Sequence, residues 1–207
     1  MIVIVDYGMG NLRSVQKAFE RIRVPVKISS NIDEILKAEK IVLPGVGHFE
    51  QGINNLKNRG LFGALNEVVL ENKIPILGIC LGMQLMTDFS EEGNCDGFGW
   101  IKARTQRFSF QNNGLKIPHM GWNNLLLKKA DSLFKEITSE NFFYFVHSYF
   151  VSCENEADIL TETNYGTKFV SSFNNKNIFG CQFHPEKSHD SGLLILKNFA
   201  FLQNNIK

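Results

Sequence analysis

Four short runs, Ile2–Val5, Val24–Ile28, Lys40–Leu43 and Ile74–Ile79, are dominated by Ile, Val and Leu and punctuate residues 1–90. Each is too short for a helix and too apolar to keep one face in water. They read as strands buried on both faces. The segments between them have a different period. Leu12–Ile22 places apolar side chains at 12, 15, 18, 19 and 22, one face of a helix. Ile32–Lys37 fits a short helix, Leu61–Leu70 a longer one, and a further helix is expected just after Cys80. Parallel neighbours cannot be joined by a tight hairpin, so this alternation predicts a parallel sheet with right-handed crossovers. The expected fold class is α/β, a mostly parallel central sheet flanked by helices.

From Phe98 the pattern changes. Leu115–Pro118, Phe142–Val151, Ile159–Thr163, Phe169–Phe173 and Ile178–Phe183 read as strands, with turn residues between several of them. They predict an additional antiparallel section in the C-terminal half, on the edge or face of the sheet. Ser188–Leu202 closes the chain as a helix with a broad stripe of Leu193, Leu194, Leu196, Phe199 and Ala200. There is no repeat, linker or low-complexity tract. The chain has 207 residues, 43% of them hydrophobic, so residues 1–207 are expected to form a single domain. A chain of this size buries roughly 70% of its unfolded surface.

Twenty-two basic residues against 21 acidic ones give a formal charge of +1. That balance argues against gripping nucleic acid by its phosphates and against a solvated, disordered chain. The cysteines at 80, 95, 153 and 181 show no Cys-x-x-Cys spacing. The opening apolar run is too short for a signal peptide and lacks a basic flank. No stretch approaches the ~18 apolar residues of a membrane span. A soluble, cytoplasmic protein with free thiols is expected.

The sharpest local signal is Gly78-Ile-Cys80-Leu-Gly82, entered by an apolar strand and left by a helix-like Met83–Met86. It is the Gly-x-nucleophile-x-Gly elbow with Cys as nucleophile. Such a turn strains the nucleophile's backbone, small flanking residues relieve the crowding, and a helix N-terminus beside the sulfur favours thiolate over thiol. A cysteine nucleophile needs a general base, and that base needs an orienting acceptor. His184-Pro-Glu186 supplies both, in chain order Cys80, His184, Glu186. Each motif alone has a plainer reading: a packed structural cysteine, or a loop histidine beside a solvated Glu. Pro44-Gly45-Val46-Gly47 ends a strand on the same edge of the sheet. Its amides, with that of Leu81, are candidate oxyanion donors; an ordinary tight turn is the competing reading. Gly8-Met-Gly10 lacks the third glycine of a dinucleotide fingerprint, because position 13 is Arg. His48, His119, His147 and His189 show no metal-ligand spacing. Cys181 alternates within a strand and reads as packing. No metal and no cofactor are expected.

Six stretches carry a resemblance: Asp6–Leu12 (Asp-Tyr-Gly-Met-Gly-Asn-Leu), Leu43–Phe49, Gly78–Gln84, Pro118–Asn123 (Pro-His-Met-Gly-Trp-Asn), Tyr144–Tyr149 and His184–Ser188. In order and spacing the chain resembles the class I, triad-type glutamine amidotransferases. Within them it is similar to the glutaminase subunits of imidazole glycerol phosphate synthases. The resemblance implies that Cys80 attacks the side-chain amide of glutamine and that Glu186 orients His184. It also implies that the amides of Val46 and Leu81, in the Gly45–Gly47 loop and the elbow, hold the oxyanion. It places Gln84, Glu92, His147, Ser148 and Tyr149 around glutamine. Ammonia would pass to a separate (β/α)8-barrel cyclase subunit in a heterodimer, with Asn11, His119, Met120, Trp122 and Lys187 towards that partner. No nucleic acid and no membrane are implied. Core packing is the competing reading for Trp122. Three other functions compete: a paralogous glutaminase feeding a sugar-amidating synthase of surface-polysaccharide assembly, a cysteine hydrolase on the same elbow, and a non-catalytic binding module.

Overall fold

In the computed structural model, which describes residues 1–110 and 114–203, the apolar runs become β1 (Ile2–Val5), β2 (Val26–Ser29), β3 (Lys40–Gly45) and β4 (Ile76–Cys80). They lie in the order β2-β1-β3-β4, all parallel. The intervening helices are α1 (Leu12–Arg21), α2 (Ile32–Leu36), α3 (Phe49–Asn58) and α4 (Leu61–Asn66), and a π-helical turn, Glu67–Glu71, continues α4. The side chains of Asn11 and Asn31 accept from the amides of Ser14 and Glu34, at 3.4 and 3.2 Å. Each satisfies one of the donors a helix start leaves without a partner.

Strand alternation sorts the core onto two faces. Ile2, Ile4, Val42, Leu77 and Ile79 pack with Val15, Ala18 and Phe19 of α1. Val3, Val5, Ile41, Leu43 and Ile76 pack with Ile35, Ile53, Leu56, Leu61 and Leu65 of α2, α3 and α4. Helix α3 has no counterpart among the helices expected from the residue pattern. Gly52 and Asn54-Asn55 are weak helix formers, but Phe49, Ile53 and Leu56 give it a buried stripe. The helix after Cys80, α5 (Leu81–Gln84), is a single turn.

The chain continues through β5 (Thr87–Ser90), β6 (Cys95–Asp96), β7 (Ile101–Arg107), β8 (His119–Asn124), β9 (Leu126–Leu127), β10 (Phe142–His147), β11 (Tyr149–Cys153), β12 (Ile159–Tyr165), β13 (Thr167–Asn175) and β14 (Ile178–Cys181), and ends in α6 (His189–Ala200). β14 lies beside β4 and parallel to it, and is antiparallel to β13. From there the sheet runs on through β11, β7, β5 and β6, with β12 and β9 branching from β13. The antiparallel section is therefore most of the far half of the same sheet, where only β5 and β7 pair in parallel. β8 and β10 form a separate antiparallel ribbon.

Two expectations are corrected. Leu115–Pro118 is not a strand; pairing starts at His119, just after Pro118, which has no N–H for a ladder. Phe142–Val151 is not one strand; the chain breaks at Ser148, and β10 and β11 join different sheets. The topology brings the carboxyl ends of β3, β4 and β14 together, with Gly45 opposite Cys80. Open α/β sheets bind ligands outside such ends.

Candidate active site

Cys80 sits at the end of β4 with φ 54° and ψ −108°, a left-handed conformation that non-glycine residues avoid. Its neighbours show why the turn closes only with glycine. A Cβ on Gly82 would lie 1.7 Å from the carbonyl oxygen of Leu43, and one on Gly78 would lie 2.7 Å from the carbonyl of Gly82. Leu81 follows as the first residue of α5, so its amide is one of the first-turn donors without a partner inside the helix. With one turn of helix behind it, the dipole expected from the sequence is small.

Gly45 and Gly47 have separate reasons to be glycine. A Cβ on Gly45 would lie 2.2 Å from the Tyr7 hydroxyl and 3.0 Å from the Leu81 Cβ. The strand end is thus wedged between Tyr7 and the elbow. Gly47 has φ +110°, which an L side chain rarely adopts. Val46, between them, is 40% exposed and lines the pocket.

His184 follows β14, and its backbone amide donates to the Tyr144 carbonyl of β10 at 2.9 Å. Ser188 secures the same turn: its hydroxyl donates to the His184 carbonyl at 2.6 Å and accepts from the Tyr144 amide at 3.0 Å. His184 Nδ1 and Glu186 Oε1 are 2.8 Å apart, and both side chains are 2% exposed. Burial disfavours the imidazolium, but the charge of Cys80 and the bond to Glu186 prevail and push the pKa of His184 up to about 10. Among the described residues, three buried side-chain polar atoms have no hydrogen-bond partner: Tyr7 Oη, His184 Nε2 and Glu186 Oε2. All three belong to residues around Cys80, where unpaired groups have a use. Burial also pushes up the Tyr7 phenol and the thiols of Cys181 and Cys153, the last to about 12.

A cavity of about 310 Å³ opens on Cys80, lined by Val46, Gly47, Leu81, Gln84, Glu92, Pro118, Val146, His147, Ser148 and Tyr149. Its size is at the small end of ligand pockets. Every residue expected around glutamine therefore lines one pocket, with His184 and Glu186 buried outside its lining. Glu92 also serves the fold, since its Oε2 accepts from the Phe49 amide at 2.8 Å and caps α3. Four contributors are not among the residues expected from the sequence: Tyr7, Pro118, Val146 and Gln182. Gln182 carried a signal, as the one strongly polar residue in the run Ile178–Phe183.

The residues expected towards a partner divide. Asn11 and Lys187 are exposed, Met120 is 62% exposed and Trp122 46%. Trp122 is thus not core; it stacks on His189 with ring centres 4.9 Å apart. His119 is corrected: it is buried, stacked between Phe145 and Tyr165, and its Nδ1 lies 3.0 Å from His147 Nε2. β8 alternates, so His119 points inward where its neighbour Met120 points out. Among the described residues, no group of three or more His, Cys, Asp or Glu could hold a metal ion, and no helix is long and apolar enough to cross a membrane.

An α/β sheet carrying a cysteine elbow and a buried His–Glu pair defines a class, and the family described as glutamine amidotransferase class-I matches residues 3–202. The chain belongs to that family. Among curated proteins it is 46% identical over 199 residues to imidazole glycerol phosphate synthase subunit HisH 2 of Methanococcus maripaludis, covering 96% of this chain and 98% of that one. It is 49% identical over 203 residues to subunit HisH 1 of Campylobacter jejuni, covering 98% and 100%. Solved structures share the fold at lower identity. PurLQS from Thermotoga maritima matches with a TM-score of 0.72 at 17% identity, over 96% of each chain. A structure described as a glutamine amidotransferase matches with a TM-score of 0.74 at 16% identity, over 96% of this chain and 99% of that one.

Proposed function

We propose that this chain is the glutaminase subunit of an imidazole glycerol phosphate synthase. It hydrolyses glutamine to glutamate and ammonia and passes the ammonia to a cyclase subunit. The observation that carries the chemistry is the strained, buried Cys80 lining a pocket, with the buried His184–Glu186 pair behind it. The curated relatives over almost the whole chain support the choice of synthase.

In this reading the Cys80 thiolate attacks the side-chain carbonyl of glutamine. The amides of Val46 and Leu81 receive the developing oxyanion, with Gly45 and Gly47 giving the loop its backbone geometry. His184 gives its proton to the leaving nitrogen as the carbon–nitrogen bond breaks, and ammonia departs. Water then adds to the thioester with its proton going to His184, and collapse releases glutamate and the thiolate. Glu186 holds the imidazole through Nδ1, as an orienting carboxylate does. Gln84, Glu92 and the His147–Tyr149 segment contact the amino-acid end of glutamine.

Ammonia released to water at neutral pH is protonated and lost as a nucleophile. A shielded transfer to a partner follows, and the partner is a (β/α)8-barrel cyclase docked on the face of Asn11, Met120, Trp122 and Lys187. The reading is tested by mixing the purified chain with the barrel subunit of its own organism. Glutamine should support formation of imidazole glycerol phosphate and an aminoimidazole carboxamide ribonucleotide. Glutamate release without that product, while a sugar acceptor is amidated when its own synthase is supplied, would replace the cyclase by the paralogous partner.

A further inference from the structure

Gln182 lies between β14 and His184, with no exposed surface. A primary amide is costly to bury unless it is hydrogen-bonded, so its partners reveal its purpose. Its Oε1 accepts from Gln84 Nε2 at 2.9 Å, and its Nε2 lies 3.6 Å from the Cys80 sulfur. This orientation is dictated from outside. Gln84 Nε2 also reaches the carbonyl oxygen of Tyr149, at 2.9 Å. A carbonyl can only accept, so that atom of Gln84 is the nitrogen. It then gives its other N–H to Gln182, which must present its oxygen there and its nitrogen to the sulfur. The order of donors is fixed from a backbone carbonyl to the nucleophile.

We propose that Gln182 is a further catalytic residue of the glutaminase reaction, a fixed donor whose side-chain N–H holds the Cys80 sulfur as thiolate before attack and receives it again when the thioester is hydrolysed. The proposal rests on Cys80 being the nucleophile. A hydrogen bond given to an anion is about twice as strong as one given to a neutral group, so the donor favours thiolate over thiol and over thioester. In the second half-reaction water adds to the thioester carbonyl and its proton goes to His184. Collapse breaks the carbon–sulfur bond, and the electron pair returns to sulfur. His184 carries the water's proton at that moment and faces the departing sulfur as a cation, a role that ends as soon as the proton is passed on. An amide does not titrate, so Gln182 remains a donor throughout.

The other groups acting on the sulfur do not duplicate this. Val146 of β10 offers it a carbonyl oxygen at 4.0 Å. Tyr7 after β1 and Cys181 on β14 interact with it as buried acids kept protonated. His184, with Glu186 behind it, faces the sulfur as the opposite charge, but it gives up and regains its proton during the reaction, so its hold on the thiolate comes and goes.

The test reads Cys80 alkylation by iodoacetamide in the full chain, from about pH 5 to about pH 10, by mass spectrometry of the Cys80 peptide, beside glutaminase kcat and KM. Gln182→Met keeps the volume and loses the donor. Gln84→Met loosens the grip on Gln182 but leaves its donor in place. The alkylation midpoint of Gln182→Met should rise by about one pH unit, roughly tenfold less thiolate below the midpoint, with kcat reduced. Gln84→Met should mainly raise KM. An unmoved midpoint in Gln182→Met, with loss in KM alone, overturns the proposal and makes Gln182 a prop for Gln84. If Gln182→Met does not fold, Gln182→Asn serves: it stays polar but falls one methylene short of the sulfur, and an unmoved midpoint there overturns the proposal equally. Full alkylation of Cys80 that left glutaminase intact would instead remove the nucleophile on which the proposal stands.

Discussion

Cys80 is held at φ 54°, which costs a non-glycine residue of order 1–3 kcal/mol, and such strain persists only where the surroundings impose it. Here they do so through Gly78 and Gly82. Cys80→Ala should therefore fold normally, since Ala carries the same Cβ, while glutamate release falls at least about 10³-fold. Product formation from added ammonia should survive in the complex, because that chemistry belongs to the partner. His184→Ala should be nearly as damaging. The double variant should be no worse than either single one, since triad members act as a unit. Losses that multiplied would mean the two residues serve separate steps. The motifs made Cys80, His184 and Glu186 legible in the sequence because each requires particular residue types at fixed spacing. Gln182 was visible only as a polar residue in an apolar run, without its role. Its meaning depends on Gln84, 98 residues away in sequence, and no local pattern records such a pairing.

Elements were legible where one period dominated. β1 and α1 lie almost where the residue pattern put them. Helix α3 escaped because a glycine and polar residues diluted its stripe, and tertiary burial overrode weak propensity. The break at Ser148 escaped because Phe142–Val151 is strand-like throughout, and only the change of pairing partner divides it. Glycines within elements give a paired prediction. A Cβ on Gly63 in α4 would meet nothing within 4 Å, whereas one on Gly82 would meet Leu43 at 1.7 Å. Gly63→Ala should stabilise by about 0.5–1 kcal/mol, and Gly82→Ala should destabilise by about 3 kcal/mol or more, read from urea unfolding. The β8–β10 ribbon gives a pH prediction. Burial lowers His119 to about 4 and, aided by the charges of His119 and His184 and opposed by the bond to Tyr149, lowers His147 to about 3. Unfolded histidines titrate near about 6.5, so below that the unfolded chain binds protons the folded chain refuses. The contribution of these two histidines should rise with pH from about 4 to about 6.5 and level off above it, whereas His184, raised to about 10, contributes stability that is lost as pH climbs from about 6.5. His119→Phe keeps the stack on Phe145 and Tyr165 and removes one titrating group. Its stability should be lower overall but fall less steeply on acidification; an equally steep acid limb would show that other groups set it.

On the scale of the whole molecule, the pocket and the exposed face share the β8–β10 ribbon. His147 at one end of β10 lines the pocket, and its register partner is His119. Trp122 and Tyr144 are register partners further along, with Trp122 stacked on His189 and Lys187 lying 5.7 Å from the Tyr144 ring centre. An exposed tryptophan held flat by a neighbour is costly to leave in water and suits the centre of an interface, where Trp, Tyr and Arg dominate binding energy. This face is separate from Cys80, so the two functions should come apart under mutation. Trp122→Ala is expected to weaken binding to the cyclase subunit by at least about 2 kcal/mol, roughly 30-fold in Kd. Hydrolysis of glutamine by the isolated chain should change little. Stimulation by the partner should fall at low partner concentration and return when the partner is in excess, because the pocket itself is untouched. Titration of the two subunits by calorimetry, beside glutamate release at each ratio, separates these outcomes. Unchanged affinity in Trp122→Ala would move the docking face elsewhere on the molecule. Lower activity that excess partner could not restore would mean that Trp122 acts on the pocket through the ribbon, and not through affinity alone.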